Sequence, residues 1–133
     1  MTRSLGLDIG DKRIGVALSD PGGILASPFT IINRIDDAVD VEAITSIVNQ
    51  QQVKQIIVGL PRSMDGSIGK QAQKVEAFVR KLSSHTEIPV ELRDERLSTV
   101  SAKRLMRAVG TKKTRHDAIA AAIILQGYLE ETR

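Results

Sequence analysis

A chain of 133 residues without cysteine can bury roughly 70% of its unfolded surface, so residues 1–133 are read as one domain needing no disulfide or structural metal. The longest apolar run, Ala118 to Leu125, is far short of the ~20 residues a bilayer requires. Asp8 interrupts the only apolar stretch a signal peptide could use, so a cytoplasmic protein with no membrane partner is expected.

The net charge is only +3, but Arg96, Lys103, Arg104, Arg107, Lys112, Lys113 and Arg115 follow one another between Glu95 and Asp117 with no acid among them. Such a stretch suits a phosphate backbone, or else a solvated helix face followed by a loop. With Phe29, Phe78 and Tyr128 as the only aromatics, a nucleic-acid partner would be read by backbone, shape and charge rather than by stacked bases.

In chain order, Leu5, Leu7 and Ile9 alternate over a first strand, about Ser4 to Ile9. Asp8 faces the other way, flanked by Gly6 and Gly10. Gly10-Asp11 reads as a glycine-first hairpin turn into a second strand, roughly Arg13 to Ser19. There Ile14, Val16 and Leu18 alternate with only Gly15 and Ala17 between them, so the acid is expected on a surface cleared of bulk. A carboxylate in a central strand is costly unless paired, hydrogen-bonded or liganded to a metal. Asp20-Pro21-Gly22-Gly23 is a second turn, and strand three, about Ile24 to Ile32, contains Pro28, which assigns it to an edge.

Asp36, Asp37 or Asp40 caps a helix over Val41 to Asn49. Gln55 to Val58 is a buried fourth strand ending at Gly59, and Leu60 to Gly69 is a loop. A second helix, about Lys70 to Ser83, presents Ala72, Val75, Phe78, Val79 and Leu82 as an apolar stripe. Ile88 to Arg93 forms strand five, with Pro89 again favouring an edge. Ser98 or Thr99 caps a third helix that Gly110 stops, and a last helix runs from Asp117 to Glu131.

The order βββαβαβαα predicts an α/β protein with a mixed sheet, and the prolines suggest strand order 3-2-1-4-5. Strands one, four and five then run parallel. Asp8, Gly59 and the residues just beyond Arg93 gather at one edge, where ligands of such sheets bind.

Glu95 lies just past strand five and Asp117 heads the last helix. On that helix Ala120, Ala121, Ile124 and Tyr128 share a face with Asp117, and the alanines let it lie close to the sheet. Three converging carboxylates repel one another unless a cation intervenes. Mg²⁺ (or Mn²⁺) suits oxygen ligands shared with phosphates, and two ions about 4 Å apart, with substrate bound, can activate a water and stabilise a leaving oxygen. Each acid also has a plainer reading. Asp117 favours a helix N-terminus, Glu95 pairs with Arg93 or Arg96, and Asp8 pairs with Lys12 or Arg13. Asp94 competes with Glu95, because strand parity does not choose between neighbours at a strand end. His116 is a fourth ligand or proton carrier, or simply an exposed residue at a helix start.

The segments LGLDIGDKRIGVALSD, IIVGLPRSMDGSIGKQA, DERLSTVSA and DAIAAAIILQGYL, in this order over nearly the whole chain, resemble the bacterial YqgF (RuvX-like) family of provisionally assigned pre-16S rRNA nucleases and Holliday junction resolvase-like proteins. The resemblance implies a ribonuclease H-like fold with helices on both sheet faces and a cytoplasmic nuclease. Matched motif by motif, the family's catalytic and metal-binding acids fall on Asp8, Glu95 and Asp117. The loop TKKTRH is shorter than the basic loop of many members, His116 stands where an aliphatic residue is common, and Lys70 where Pro or Glu is common.

The leading expectation is therefore a metal-dependent endonuclease that processes the 5′ end of pre-16S rRNA. Lys12, Arg13, Arg62, Arg96, Lys112, Lys113 and Arg115 are its candidate nucleic-acid contacts. The runner-up is a Holliday junction resolvase, an activity that favours a two-fold dimer; monomer and homodimer both stay open. A sugar-kinase reading of LDIG needs two related domains, and a non-catalytic binding module leaves the three acids without a task.

Overall fold

The computed structural model describes residues 2–61, 69–94 and 116–132, with His116 and Asp117 as backbone only. The strands are β1 (Arg3–Ile9), β2 (Arg13–Ser19), β3 (Ala26–Asn33), β4 (Val53–Leu60) and β5 (Val90–Asp94). The helices are α1 (Asp37–Gln50), α2 (Lys70–Ser84) and α3 (His116–Glu131). The helix expected after Thr99 lies outside the described residues. The sheet order is β3-β2-β1-β4-β5. β1 pairs antiparallel with β2 and parallel with β4, and β4 pairs parallel with β5, the arrangement that the edge prolines predict. Pro28 sits on edge strand β3, where the ladder slips between Val16 and Ala17.

Period-two alternation divides the sheet into two faces. Leu5, Leu7, Ile9, Ile14, Val16, Ile56 and Val58 meet Val41, Ile44 and Val48 of α1 and Ala72, Val75, Phe78 and Leu82 of α2 in one core. On the opposite face Ala17, Ala26 and Ile57 meet Ala121, Ala122, Ile124, Leu125 and Leu129 of α3. Each fully buried Leu or Ile contributes about 1.5–3 kcal/mol, and both faces are needed because this sheet is apolar on both. Helices therefore cover the two sides, as the resemblance implies.

Three local expectations are corrected. α1 begins at Asp37, four residues before the periodic run, because Asp36 caps it by accepting the Val39 N–H at 2.9 Å. The first hairpin is not a glycine-first turn: Gly23 has a left-handed φ of 71°, but Gly10 does not. The Gly10 N–H donates to the Arg13 carbonyl at 2.9 Å, and a Cβ at Gly10 would stand 2.7 Å from that same oxygen. Gly10 is there for close approach, not for backbone handedness. Lastly, Ala120 is only half-buried, while Ala121 and Leu125 meet Gly6 of β1. The stripe of α3 that touches the sheet is thus turned by about one position from the expected one.

Candidate active site

Asp8 is half-buried on the face of β1 that looks toward α3. Its partner on β2 is Gly15, and Gly6 pairs with Ala17. On the other side Leu7 pairs with Val58, so the next rung of the ladder sets Asp8 beside Gly59, which in turn pairs with Arg93 of β5. One carboxylate thus stands between two glycines in the middle of the sheet. Neither neighbouring strand carries a side chain at that level, and Asp8 itself is only half-buried.

α3 supplies the second element. Gly6 lies against the Ala121 carbonyl and the Leu125 Cβ, whereas Tyr128 reaches Gln55, which bonds Ser4 near the start of β1. The helix therefore runs antiparallel to β1. From Ala121 back to Asp117 is four residues, about 6 Å of helix rise, and from Gly6 to Asp8 is two residues, about 6.6 Å of strand. The backbone of Asp117 is accordingly carried to the same end of the sheet as Asp8. Glu95 lies outside the described residues, as do Arg62, Arg96, Lys112, Lys113 and Arg115. Among the described residues no group of three or more His, Asp or Glu could hold a metal ion, two of the three expected acids falling outside that set.

Arg93 and Asp94 end β5 on opposite faces. Arg93 is buried, and its Nη1 donates to Glu131 at 2.5 Å, which holds the Glu131 carboxyl below its ordinary range. Gly127 of α3 leaves room for the guanidinium, since a Cβ there would approach Nη2 to 2.7 Å. Arg93 is thus engaged by α3; the pairing of Glu95 with Arg93 or Arg96 lies outside the described residues. Asp94 pairs with Leu60 of the α1/α2 core, so strand alternation turns it away from the face of Asp8.

Lys12 and Arg13 are exposed on the turn that follows Asp8. That turn is held by Arg34, a residue without a sequence motif. Its N–H donates to the Lys12 carbonyl at 2.9 Å and its Nη1 to the Gly10 carbonyl at 3.1 Å. Nε meets buried Asp40 at 3.0 Å and Nη2 meets Asp37 at 2.7 Å. The only sequence signal was a lone arginine beside three aspartates, of which Asp40 looked like a cap and is instead the buried partner.

Phe29 is the one exposed ring among the aromatics, at 43%; Phe78 is buried and Tyr128 is bonded to Gln55. A polar hollow of about 610 Å³, lined by Thr45, Asn49, Gln52, Lys54, His85 and Glu87 among others, lies at the far end of the sheet from Asp8. No described helix is long and apolar enough to cross a membrane.

A family model described as RuvX: Holliday junction resolvase matches residues 2–131. A Dehalococcoides mccartyi protein provisionally named as a pre-16S rRNA nuclease is 52% identical over 126 residues, 93% of this chain and 95% of its own. A Moorella thermoacetica protein with the same provisional name is 46% identical over 132 residues, 96% of this chain and 94% of its own. RuvC of Thermus thermophilus, in complex with a Holliday junction substrate, matches 99% of this chain and 97% of its own with a TM-score of 0.69 at 10% identity. The fowlpox virus resolvase, in complex with junction DNA, matches 98% and 99% with a TM-score of 0.59 at 14% identity. At such identities these two structures speak to the fold, which is ribonuclease H-like.

Proposed function

The chain belongs to the RuvX family, and from that premise we propose that it is a divalent-metal-dependent endonuclease hydrolysing phosphodiester bonds in structured nucleic acid. Its proposed task is processing the 5′ end of pre-16S rRNA in the cytoplasm, performed by a single domain spanning residues 1–133. The observation that carries this reading is the half-buried Asp8 set between Gly15 and Gly59 on the central strand.

The donor chemistry fits Mg²⁺ or Mn²⁺. Asp8 offers a hard carboxylate oxygen on a rigid strand, with no side chain at the paired position on either neighbouring strand. Asp117, whose helix runs to that end of the sheet, and Glu95 would complete the set. The turn of Asp94 toward the opposite core supports Glu95 as the ligand from that pair. When bound, a pair of such ions supplies an activated water and stabilises the leaving oxygen. The chain's own part is to hold the carboxylates fixed and to grip the substrate. Exposed Lys12 and Arg13 beside the acid, together with Arg62, Arg96, Lys112, Lys113 and Arg115, would contact phosphates and position the backbone without reading sequence.

The description of the family model favours a second reading, resolution of four-way DNA junctions. Cleavage of a pre-16S fragment and of a four-way junction, each with Mg²⁺ or Mn²⁺, separates the two. Asp8→Asn is expected to lower cutting of the true substrate by about a hundredfold or more, equivalent to several kcal/mol of transition-state stabilisation. Cutting of the junction alone would move the assignment to the second reading, and equal cutting by Asp8→Asn and wild type would refute both.

A further inference from the structure

Arg34 makes more contacts than a helix start requires. Two of its partners, Asp37 and Asp40, lie at the beginning of α1, and its guanidinium carbon sits 5.0 Å from the ring centre of Phe78 on α2. These would suffice to seat α1 against α2. The remaining two bonds go to the turn between β1 and β2: Nη1 to the Gly10 carbonyl and the main-chain N–H to the Lys12 carbonyl. The planar fork has donors pointing three ways at once, and Nε, Nη1 and Nη2 each take a different acceptor, whereas a lysine would have to serve all of them from a single nitrogen. The arginine side chain is 20% exposed and Asp40 only 1%, so the charge-assisted bonds are shielded and hold their geometry. α2 also touches the turn, through Gln71 to the Ile9 carbonyl at 3.5 Å and Lys74 to Asp11 at 3.5 Å, but the first is long and the second exposed. The well-formed grip is that of Arg34.

We propose that Arg34 is a positioning residue of the active site: by fixing the Gly10–Arg13 turn to α1 and α2 it holds Asp8, two residues earlier in β1, and the Lys12 and Arg13 cations in the arrangement that cleavage needs. The proposal rests on the nuclease reading for its catalytic half, whereas the clamp on the turn stands on geometry alone.

Arg34→Gln alone leaves buried Asp40 without its charged partner, with only the Ile35 N–H among the described residues still donating to it, and can unfold the chain. The full-length double variant Arg34→Gln/Asp40→Asn removes both charges and is the informative form, with Asp40→Asn and Arg34→Lys beside it. Thermal unfolding, amide hydrogen exchange and single-turnover cleavage are measured on each. In the double variant, exchange at the Gly10 and residue-34 amides is expected to speed up tenfold or more while core amides of β1 stay protected, and kcat is expected to fall at least tenfold at a temperature where the protein is fully folded. Arg34→Lys, which keeps the charge but not the fork, should not restore kcat. Asp40→Asn should lose stability yet keep kcat within twofold.

A merely structural role predicts instead that activity follows the folded fraction in every variant, and that result overturns the proposal. Unchanged exchange at Gly10 in the double variant also overturns it. Should wild type cut neither substrate, the nuclease reading fails by itself, and the exchange measurement still decides whether Arg34 clamps the turn.

Discussion

Replacing Gly6 by alanine tests the close approach of α3 to β1. A Cβ at this position would stand 2.8 Å from the Ala121 carbonyl oxygen and 2.8 Å from the Leu125 Cβ. Comfortable contact is about 3.5–4 Å. Neither neighbour can swing aside, because one is backbone and the other is the first carbon of its side chain. α3 must therefore retreat from β1 by roughly 1 Å, and a gap of that size forfeits a quarter to a half of each dispersion contact across it. Overpacking of this kind costs about 1–3 kcal/mol, and alanine recovers about 0.5–1 kcal/mol of backbone entropy relative to glycine. The net loss should be about 1–2 kcal/mol, lowering Tm by about 4–8 °C for a domain of this size. Because α3 carries Asp117 in its first turn, the same retreat should lower cleavage by roughly 10–100-fold, as a 1 Å misplacement of catalytic groups can. Denaturation curves give the first number, and single-turnover cleavage well below either Tm gives the second. A Gly6→Ala protein as stable and as active as wild type would refute the close packing on which this reasoning stands.

Gly127→Ala should gain little or nothing by itself, because the new methyl meets the Arg93 guanidinium. In an Arg93→Ala background it should recover the usual helix preference of about 1 kcal/mol for alanine over glycine, and urea denaturation of the four proteins measures that coupling. Gln52 follows the C-cap of α1 with φ 55°, a left-handed conformation that glycine adopts freely. Gln52→Gly should stabilise by about 1 kcal/mol in the same assay, and a loss would contradict the assignment. The Lys81 ammonium, hydrogen-bonded to Asp37 at 2.6 Å, holds that carboxyl below its ordinary 3.8, with Arg34 adding to the effect. A carboxyl depressed in the folded state contributes stability above its unfolded pKa and loses it as pH falls through the folded value. Lys81→Met should therefore move the Asp37 titration, followed by NMR, upward. It should lower stability at pH 7 by at most about 1 kcal/mol, since the pair is partly exposed, and the difference should shrink as pH falls through the folded Asp37 value.

The parts of the fold that the sequence made legible are those with short-range causes. Alternation around Asp8 and Gly15 across from it is a period-two pattern within fifteen residues, and prolines mark edge strands through the missing N–H. What stayed hidden depends on partners distant in the chain. Arg34 binds Gly10 across 24 residues, and Arg93 binds Glu131 across 38; no periodicity reports either. The face of α3 is not legible in the sequence because nearly every described position from Ala118 to Leu129 is buried, so the helix has no polar side to orient it. Gly6 decides the orientation, since without a Cβ it lets the α3 backbone come near the strand. Gly10 was assigned to a turn handedness it does not have because steric clearance and positive φ ask for the same residue.

β1 is gripped from two directions that share no atoms. α3 presses on Gly6 from one face, while Arg34, seated against α1 and α2, holds the turn at Gly10. Four strand residues, about 13 Å, separate the two grips, beyond the 7–10 Å over which mutational effects on stability couple. The stability losses of Gly6→Ala and Arg34→Gln/Asp40→Asn should accordingly add when combined. Their losses in cleavage should not multiply: both act by displacing the elements that hold Asp8, and once the carboxylate has left its place a second displacement has less to remove. A triple variant that is additively destabilised but cuts little worse than the poorer parent is the expected pattern. Multiplicative losses in cleavage would mean that the two grips serve different steps, and the account of Asp8 as their common target would fail.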